Sequence, residues 1–92
     1  MPRESSNNGK GKVTAKATSG TLAKAYSGRQ ALFVCNPSAK EVWLALGSEA
    51  TKEEGIWLKK ESGTLVIDGG LYTGIVTCIT TEGEGTITFS EV

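Results

Sequence analysis

The sequence contains no histidine, and its charges cancel, with ten Lys and Arg residues against ten Asp and Glu residues. Histidine is the commonest general base and metal ligand near neutral pH, so its absence removes the usual starting point for acid–base or metal chemistry. Zero net charge means that no overall field draws the protein to nucleic acid or to anionic lipid. The composition therefore argues against an enzyme, a metalloprotein and a nucleic-acid-binding protein.

Long apolar segments are also missing. The longest uninterrupted apolar run is ALFVC at residues 31–35, far shorter than the roughly 20 residues of a membrane-spanning helix. The opening segment MPRESSNNGKGK has no apolar centre of the kind that a signal peptide needs. We therefore predict that the protein is made and folded in a cytoplasm and that it does not bind a membrane.

Cysteine is scarce, and Cys35 and Cys78 each lie inside an apolar run. In a reducing compartment we expect both thiols to stay free and to pack as small hydrophobic side chains, with a disulfide as the alternative. Two thiols without histidine and without closely spaced partners do not make a zinc site. The glutamate pairs at 53–54 and at 82 and 84 lie in predicted loops, and no phosphate-binding loop is present. We predict no catalytic residue, no metal and no cofactor.

What the sequence does contain is alternation with a period of two. VTAKAT (13–18) and TLAKAY (21–26) alternate small or apolar residues with Thr and Lys, which is typical of strands at a sheet edge or on a half-solvated face. QALFVCN (30–36) is apolar on both faces, as a central strand is, and TGIVTCIT (73–80) is β-branched and also central in character. Breaks rich in glycine, such as Asp-Gly-Gly, and an Asn-Pro turn separate the segments. The pattern predicts an all-β fold, a small β-sandwich or β-barrel of about eight short strands.

Residues 1–12 precede the alternating segments and are polar. We predict that they form a flexible N-terminal arm and that residues 13–92 form a single domain. The arm is basic, since it carries Arg3, Lys10 and Lys12 against one glutamate. It is either a solvated terminus or a segment that becomes ordered on the surface of a partner.

The segment SEATKEEG at 48–55 predicts either one helical turn or an acidic loop. It leads into IWLKK, in which Ile56 and Leu58 are expected to point inward and Trp57 outward. An exposed Trp57 beside Lys59 is a candidate partner-binding surface, because Trp is over-represented among the residues that dominate interfaces. The alternative is that Trp57 belongs to the rim of the fold.

One feature suggests an internal duplication. SGTL occurs at 19–22 and again at 62–65, and the same offset of 43 residues separates Cys35 from Cys78. Aligned without gaps, the twenty residues that start at each SGTL share five identities. Chance is a serious alternative because the composition is rich in Gly and Thr. If the repeat is real, the two halves supply equivalent strands and the cysteines occupy equivalent core positions.

A succession of motifs runs from Arg29 to Val92, about two thirds of the chain. An Arg precedes an apolar strand that ends in NPS, and VWLALG, AT, GIWL, a GG turn, TGIVTCIT and TITFSEV follow. In rhythm, rather than in diagnostic motifs, this resembles small virion-surface proteins of tailed bacteriophages. These are capsid decoration proteins and head-fibre or tail accessory modules.

The resemblance implies a non-enzymatic protein that binds the major capsid protein of its own phage on the outside of the shell. Its location would be the virion, after assembly in the host cytoplasm, and it would be a homo-oligomer, with a trimer favoured. By position, residues 1–12 would be the arm that orders on the shell, with Lys10 and Lys12 meeting acidic capsid groups. Edge strands near 13–26 would pair across the subunits.

Two other hypotheses stay open. A tail accessory or glycan-binding β-sandwich predicts Trp43 or Trp57 in a shallow groove beside Asp, Asn or Glu. A small barrel that binds single-stranded nucleic acid would combine Trp57, Lys59 and Lys60 with the basic arm, and its affinity would fall steeply with salt. The few aromatic residues and the neighbouring glutamates argue against this last hypothesis.

Overall fold

The computed structural model describes residues 9–69 and 72–92. Over these residues the chain forms eight strands and no helix. The strands are β1 (Gly9–Ala15), β2 (Gly20–Ala23), β3 (Ala31–Asn36), β4 (Val42–Leu46), β5 (Ile56–Leu58), β6 (Gly63–Asp68), β7 (Val76–Thr80) and β8 (Gly85–Glu91). No helix long and apolar enough to cross a membrane is therefore found in this part of the chain.

The strands form two antiparallel sheets of four. Sheet A has the order β1-β8-β3-β6, and sheet B has the order β2-β7-β4-β5. The predicted all-β fold with about eight short strands is confirmed, and β1 and β2 are edge strands, one of the two predicted alternatives. Because each sheet ends in two edge strands instead of closing on itself, the fold is a sandwich rather than a barrel.

The strand pairs show how the chain reaches this arrangement. β1 pairs with β8, β2 with β7, β3 with β6 and β4 with β5, so the chain is one long hairpin whose tip is the loop between β4 and β5. Folding this hairpin over itself places β8 beside β3 and β7 beside β4. Eight strands connected in this way form a jelly roll, a topology found in viral capsid and lectin domains. The topology alone leaves the function open.

The core lies between the sheets and follows from the alternation along each strand. In β4, Val42 and Leu44 are fully buried, while Trp43 between them is half-buried on the outer face. The largest apolar side chains that are fully buried are Leu32, Val42, Leu44, Leu58, Val76, Cys78 and Ile87. Full burial of an aliphatic side chain of this size contributes about 1.5–3 kcal/mol. This layer therefore supplies the main favourable term for folding.

β7 is a central strand of sheet B, as predicted, and it is buried on both faces. Its inner side belongs to the core, and its outer side is covered as well. There, the hydroxyl Oγ1 of Thr77 donates a 2.7 Å hydrogen bond to the carbonyl of Ser48. The loop between β4 and β5 therefore folds back over the outer face of sheet B.

This loop is acidic, one of the two predicted alternatives, and contains no helical turn. The amide of Glu54 donates to the carbonyl of Thr51 (3.2 Å), which closes a tight turn. Glu53 and Gly55 have φ angles of 63° and 91°, which interrupt a right-handed helix. A Cβ atom on Gly55 would also lie 2.6 Å from the carbonyl oxygen of Leu44, so glycine is required there.

Residues 9–12 were predicted to belong to the flexible arm, and for them the prediction is wrong. They are part of β1 and pair with β8. The segment GKGK hides its strand alternation because Gly11 takes an inward position without an apolar side chain. The ring of Phe89 fills that space, and a Cβ atom on Gly11 would lie 3.1 Å from it. Residues 1–8, including Arg3, lie outside the described residues.

The predicted Asn-Pro turn after β3 is held by the buried side chain of Asn36. Its Nδ2 donates to the carbonyls of Lys40 (2.7 Å) and Leu58 (2.9 Å). Its Oδ1 accepts hydrogen bonds from the amide (3.1 Å) and the hydroxyl (2.6 Å) of Ser38. The amide group is thus fully paired, as a buried polar group must be.

The two cysteines are free thiols, as expected, but they do not occupy equivalent core positions. Cys78 lies in the core opposite Leu44, where burial raises the pKa of its thiol to about 11. Cys35 is half-buried on the outer face of sheet A, the face that Phe33 shares. At the 43-residue offset, the outward residues of β3 therefore align with the inward residues of β7. Aligning inward residues with inward residues would need a shift of one residue, because successive side chains point to opposite faces.

Candidate partner-binding surfaces

The predicted partner-binding residues lie on different faces of the sandwich. Lys10 and Lys12 are exposed on β1, an edge of sheet A, whereas Trp57 is exposed on β5, an edge of sheet B. β1 lies against β2 and β5 lies against β6, so these two edges are at opposite sides of the sandwich. Lys59 is exposed just after β5, and Arg3 lies outside the described residues. The structure thus separates the lysines of β1 from Trp57 and Lys59.

The outer face of sheet A is apolar at its centre. Phe33 and Val66, which are 44% and 61% exposed, are neighbours across β3 and β6. Beside them the half-buried Cys35 lies between Thr64 and Thr88. These short side chains leave a shallow groove of about 330 Å³ next to Phe33. We call Phe33, Cys35 and Val66 the apolar patch; exposed apolar areas of this kind mark interaction sites.

Lys10 and Lys12 border the apolar patch on the β1 side. In the register of the sheet, Lys10 pairs with Ser90 and Ser90 with Phe33, while Lys12 pairs with Thr88. The lysines therefore share the outer face with the patch at a distance of two strands, about 10 Å. A second recess of about 550 Å³ lies along Lys10, Lys12 and Thr88. This face can accept a flat apolar surface with carboxylates along one margin.

The outer face of sheet B carries a pair of stacked indoles. Trp43 and Trp57 are opposite each other on β4 and β5, with ring centroids 6.0 Å apart and planes inclined by 19°. The indole Nε1 of Trp57 donates a 2.7 Å hydrogen bond to Oε1 of Glu41, which also accepts one from the amide of Lys60 (3.1 Å). The Nε1 of Trp43 donates to Oγ1 of Thr81 (3.4 Å). Both rings are therefore held in fixed orientations.

Trp57 remains 53% exposed in this arrangement. A flat aromatic surface that is fixed before a partner arrives loses little conformational entropy on binding. The second carboxylate oxygen of Glu41, Oε2, accepts no hydrogen bond from the residues that the structure describes. The site can therefore stack on a flat or apolar ligand group and accept a hydrogen bond beside it.

A buried ion pair, which the sequence did not predict, closes one end of the sandwich. The side chains of Arg29 and Glu91 are both fully buried, and Nε of Arg29 donates to Oε2 of Glu91 at 2.6 Å. The other guanidinium nitrogens donate to the carbonyls of Gly74 (3.0 Å) and Lys24 (2.7 Å). One residue thus ties the start of β3 to the end of β8 and to the segments beside β2 and β7.

The other oxygen of this carboxylate, Oε1 of Glu91, is buried without a hydrogen-bond partner among the described residues. A signal for the ion pair was present in the sequence. In TITFSEV the inward positions are Ile87, Phe89 and Glu91, so the alternation sends a carboxylate into the core. A buried carboxylate requires a cationic partner, and Arg29 at the start of an apolar strand supplies it.

The rest of the surface offers little that suggests chemistry. Glu49 and Glu54 line a small polar recess of about 180 Å³ beside the loop between β4 and β5, and both are exposed. Within residues 9–69 and 72–92, no three His, Cys, Asp or Glu side chains come together in a group that could hold a metal ion.

Comparisons of the chain with protein-family models, with curated protein sequences and with solved structures found no match. The two outer faces are therefore interpreted from their own geometry.

Proposed function

We propose that the protein is a non-enzymatic structural protein of a bacteriophage particle, namely a decoration protein that binds the major capsid protein on the outer surface of the shell. The observation that carries this proposal is the apolar patch on sheet A with its lysine margin. A broad and shallow apolar surface on a rigid sheet suits the surface of another protein, whereas small molecules are usually held in deeper clefts.

Two further points support the proposal at the level of the fold. The jelly-roll topology is common among viral capsid domains. The motifs on which the resemblance to virion-surface proteins rests also have structural roles here: NPS is the turn after β3, and TITFSEV is the last strand with its buried Glu91. Support of this kind indicates the architecture rather than the partner.

The mechanism needs no reactive group. A protein that binds the mature shell more tightly than its precursor stabilises the mature form by the difference in binding free energy. Each bound copy contributes a modest stabilisation, and the contributions of many identical copies sum over the whole particle. Because Lys10 and Lys12 are solvent-exposed, any pairing with capsid carboxylates would weaken as the salt concentration rises.

The test is co-sedimentation of the purified protein with undecorated capsids of its phage, followed by cryo-EM of the particles. Phe33→Ser removes the largest side chain of the apolar patch, and we expect the affinity for the capsid to fall about tenfold or more. Trp57→Ser is the matched control, because it removes a similarly exposed aromatic ring from sheet B. If the unmodified, folded protein stays in the supernatant, the proposal is wrong; if Trp57→Ser is the variant that loses binding, sheet B contacts the shell.

A second candidate function, glycan binding, is favoured by the stacked indoles of Trp43 and Trp57. The glycan hypothesis predicted Trp43 or Trp57 in a shallow groove beside Asp, Asn or Glu; Trp57 is held next to Glu41, although neither indole lines a recess described above. A sugar ring could stack on Trp57 while a hydroxyl donates to Oε2 of Glu41. The nucleic-acid hypothesis gains nothing comparable, because the lysines of β1 lie at the opposite side of the sandwich.

A glycan array followed by titration calorimetry tests this candidate. Binding to a defined oligosaccharide should quench the tryptophan fluorescence and should be lost in Trp57→Ala. It should survive in Phe33→Ser, which leaves the indole pair intact. An array without any ligand, probed with folded protein, would exclude the candidate.

A further inference from the structure

We infer that β1 of one copy pairs with β6 of a neighbouring copy, so that the protein assembles head to tail into a ring through the two edges of sheet A. The observation behind this is that both edges present free backbone groups at the same spacing, with complementary side chains in one register. The inference concerns self-association and does not depend on capsid or glycan binding.

The hydrogen bonds of β3 show which way its backbone groups point. Ala31 and Val92 bond each other reciprocally (N···O 3.2 and 3.0 Å), so the odd-numbered residues of β3 face β8. The amide of Gly69 donates to the carbonyl of Gln30 (2.8 Å), so the even-numbered residues face β6. The N–H and C=O groups of successive residues point to opposite sides of a strand. The pairing registers therefore also fix which groups of β1 and β6 point away from the sheet.

On β6 the odd-numbered residues face β3, so Thr64 and Val66 turn their N–H and C=O groups to the free edge. On β1 the odd-numbered residues face β8, which leaves the groups of Lys10, Lys12 and Thr14 at the other edge. The side chains of these residues all lie on the outer face of the sheet. Within residues 9–69 and 72–92 no backbone hydrogen bond reaches these groups, so each edge is a ladder of free groups at every second residue.

One antiparallel register matches the free groups of Thr64 and Val66 with those of β1; at its far end the carbonyl of Asp68 already accepts a hydrogen bond from the amide of Tyr72 (3.0 Å), so that position contributes through its side chain. It places Thr14 opposite Thr64, Lys12 opposite Val66, and Lys10 opposite Asp68. The methylene groups of Lys12 then cover the most exposed apolar side chain of β6, and the ammonium group of Lys10 meets a carboxylate. Asp68 has a contact within its own chain, and the register requires only its negative charge at the end of β6.

The strand directions permit this contact without inverting a copy. Neighbours in sheet A are antiparallel, so across four strands β1 and β6 of one chain also run in opposite directions. A second copy can therefore add its β6 to β1 in the same orientation, with its outer face on the same side. Contacts of this head-to-tail type generate rings when the rotation between copies closes, and the twist of the sheet supplies a rotation.

The competing edge pairings are less favourable. A two-fold β1–β1 pair centred on Lys12 would bring two ammonium groups together, and like charges directly opposite each other are destabilising. In sheet B, β2 has four residues with an irregularity between Thr21 and Ala23, and β5 has three residues. Short or irregular edges resist pairing. A β6–β6 pair would use the same free groups but would give a dimer.

The mass of the full chain in solution, measured by native mass spectrometry and light scattering, tests the inference. We expect a discrete oligomer of three or more 9.6 kDa chains. Thr64→Pro removes an edge N–H without removing a bond to β3, so it should fold normally and run as a monomer. Thr64→Ala keeps the N–H and should keep the oligomer.

A charge exchange tests the register. Lys10→Asp and Asp68→Lys should each shift the assembly toward monomer, and the double variant should restore it, because the opposite charges meet again. A monomer at every concentration, or a dimer, would overturn head-to-tail pairing. Open filaments would contradict the closed ring. A double variant that forms no more oligomer than the single variants would contradict the register. Circular dichroism of each variant shows that the fold is retained.

Discussion

The two sheets have the same connectivity but differ on their outer faces. Adding four to each strand number, and counting on from one after eight, turns the order of sheet A, 1-8-3-6, into 5-4-7-2, which is sheet B read from its other edge. Yet sheet A exposes an apolar patch between two long edges, whereas sheet B carries fixed indoles and a covering loop between two short edges. The connectivity determines which strands pair, and the outward side chains determine what each face can bind.

The same comparison bears on the possible duplication. An offset of 43 carries β1 onto β5 and β4 onto β8 with inward residues kept inward, as for Leu44 and Ile87. Every jelly roll has this equivalence between its two sheets, because it follows from folding one long hairpin over itself. The equivalence therefore does not require a duplicated sequence. The irregularity in β2 and the unequal cysteines show where the halves diverge. The duplication itself stays a prediction.

The largest loss of stability is expected from a change at the end of sheet A, where the two sheets differ. Sheet A is closed by the buried Arg29–Glu91 pair, whereas the position equivalent to Glu91 in sheet B is the exposed Ser48. Glu91→Ala leaves the guanidinium buried without its counter-charge and should lower the free energy of unfolding by about 3–5 kcal/mol. Urea denaturation measures this, with the exposed Glu84→Ala as control.

A double variant sharpens this result. Arg29→Met with Glu91→Leu removes both charges and should recover most of the stability, because well-packed apolar residues can replace a buried pair. If Glu91→Ala unfolds at the same urea concentration as Glu84→Ala, the ion pair does not hold the end of sheet A.

The second prediction compares equivalent core positions. Leu44 in sheet B and Ile87 in sheet A are both fully buried. Leu44→Ala and Ile87→Ala should each cost about 2–5 kcal/mol of unfolding free energy, and the two losses should be similar. Leu46→Ala, at a partly exposed position of β4, is the control and should cost less. Losses that differ by more than twofold would show that the sheets contribute unequally to the core.

The third prediction compares the two thiols. Burial raises the pKa of Cys78 to about 11 from the ordinary 9.0, so the unfolded chain loses this proton at lower pH than the folded one. The contribution of the Cys78 thiol to the free energy of unfolding is complete below about pH 9. It is lost as the pH rises toward 11, and the loss is at most about 2–3 kcal/mol. Urea denaturation at about pH 8 and pH 10.5 should show a larger loss for the unmodified protein than for Cys78→Ala. Equal losses would contradict this.

The alternation along the chain was sufficient to predict the strands, the central position of β7 and the outward Trp57, and it gave the sheet edge as one of two alternatives for β1 and β2. It could not assign strands to sheets, because period two is the same in both. The apolar residues on both of its faces also predicted β3 to be a central strand, which it is, although the outward Phe33 is 44% exposed. Apolar residues on two faces indicate two apolar environments, and the sequence does not say whether the second is a core or a binding surface.

The functional and structural residues that the sequence did not predict are those whose role depends on a contact with a distant part of the chain. Glu41 holds Trp57 only because the register of β4 and β5 brings them together across 16 residues. Arg29 and Glu91 are 62 residues apart and meet only when the hairpin folds over itself. Local patterns carry no information on such contacts, although a carboxylate at an inward position signals that a partner must exist.

The smallest expected effect concerns the hydrogen bond from Trp57 to Glu41, which holds the aromatic surface of sheet B. Glu41→Ala removes the acceptor for the indole of Trp57 and should lower the unfolding free energy by about 0.5–1.5 kcal/mol. The tryptophan emission should shift to longer wavelength, because the freed indole becomes more hydrated. Glu41→Gln keeps an acceptor oxygen and should retain most of the stability, and Glu49→Ala controls for the loss of a surface charge. An unchanged emission spectrum in Glu41→Ala would show that the stacking on Trp43 holds Trp57 by itself, and Glu41 would then act only as a hydrogen-bond acceptor beside the ring.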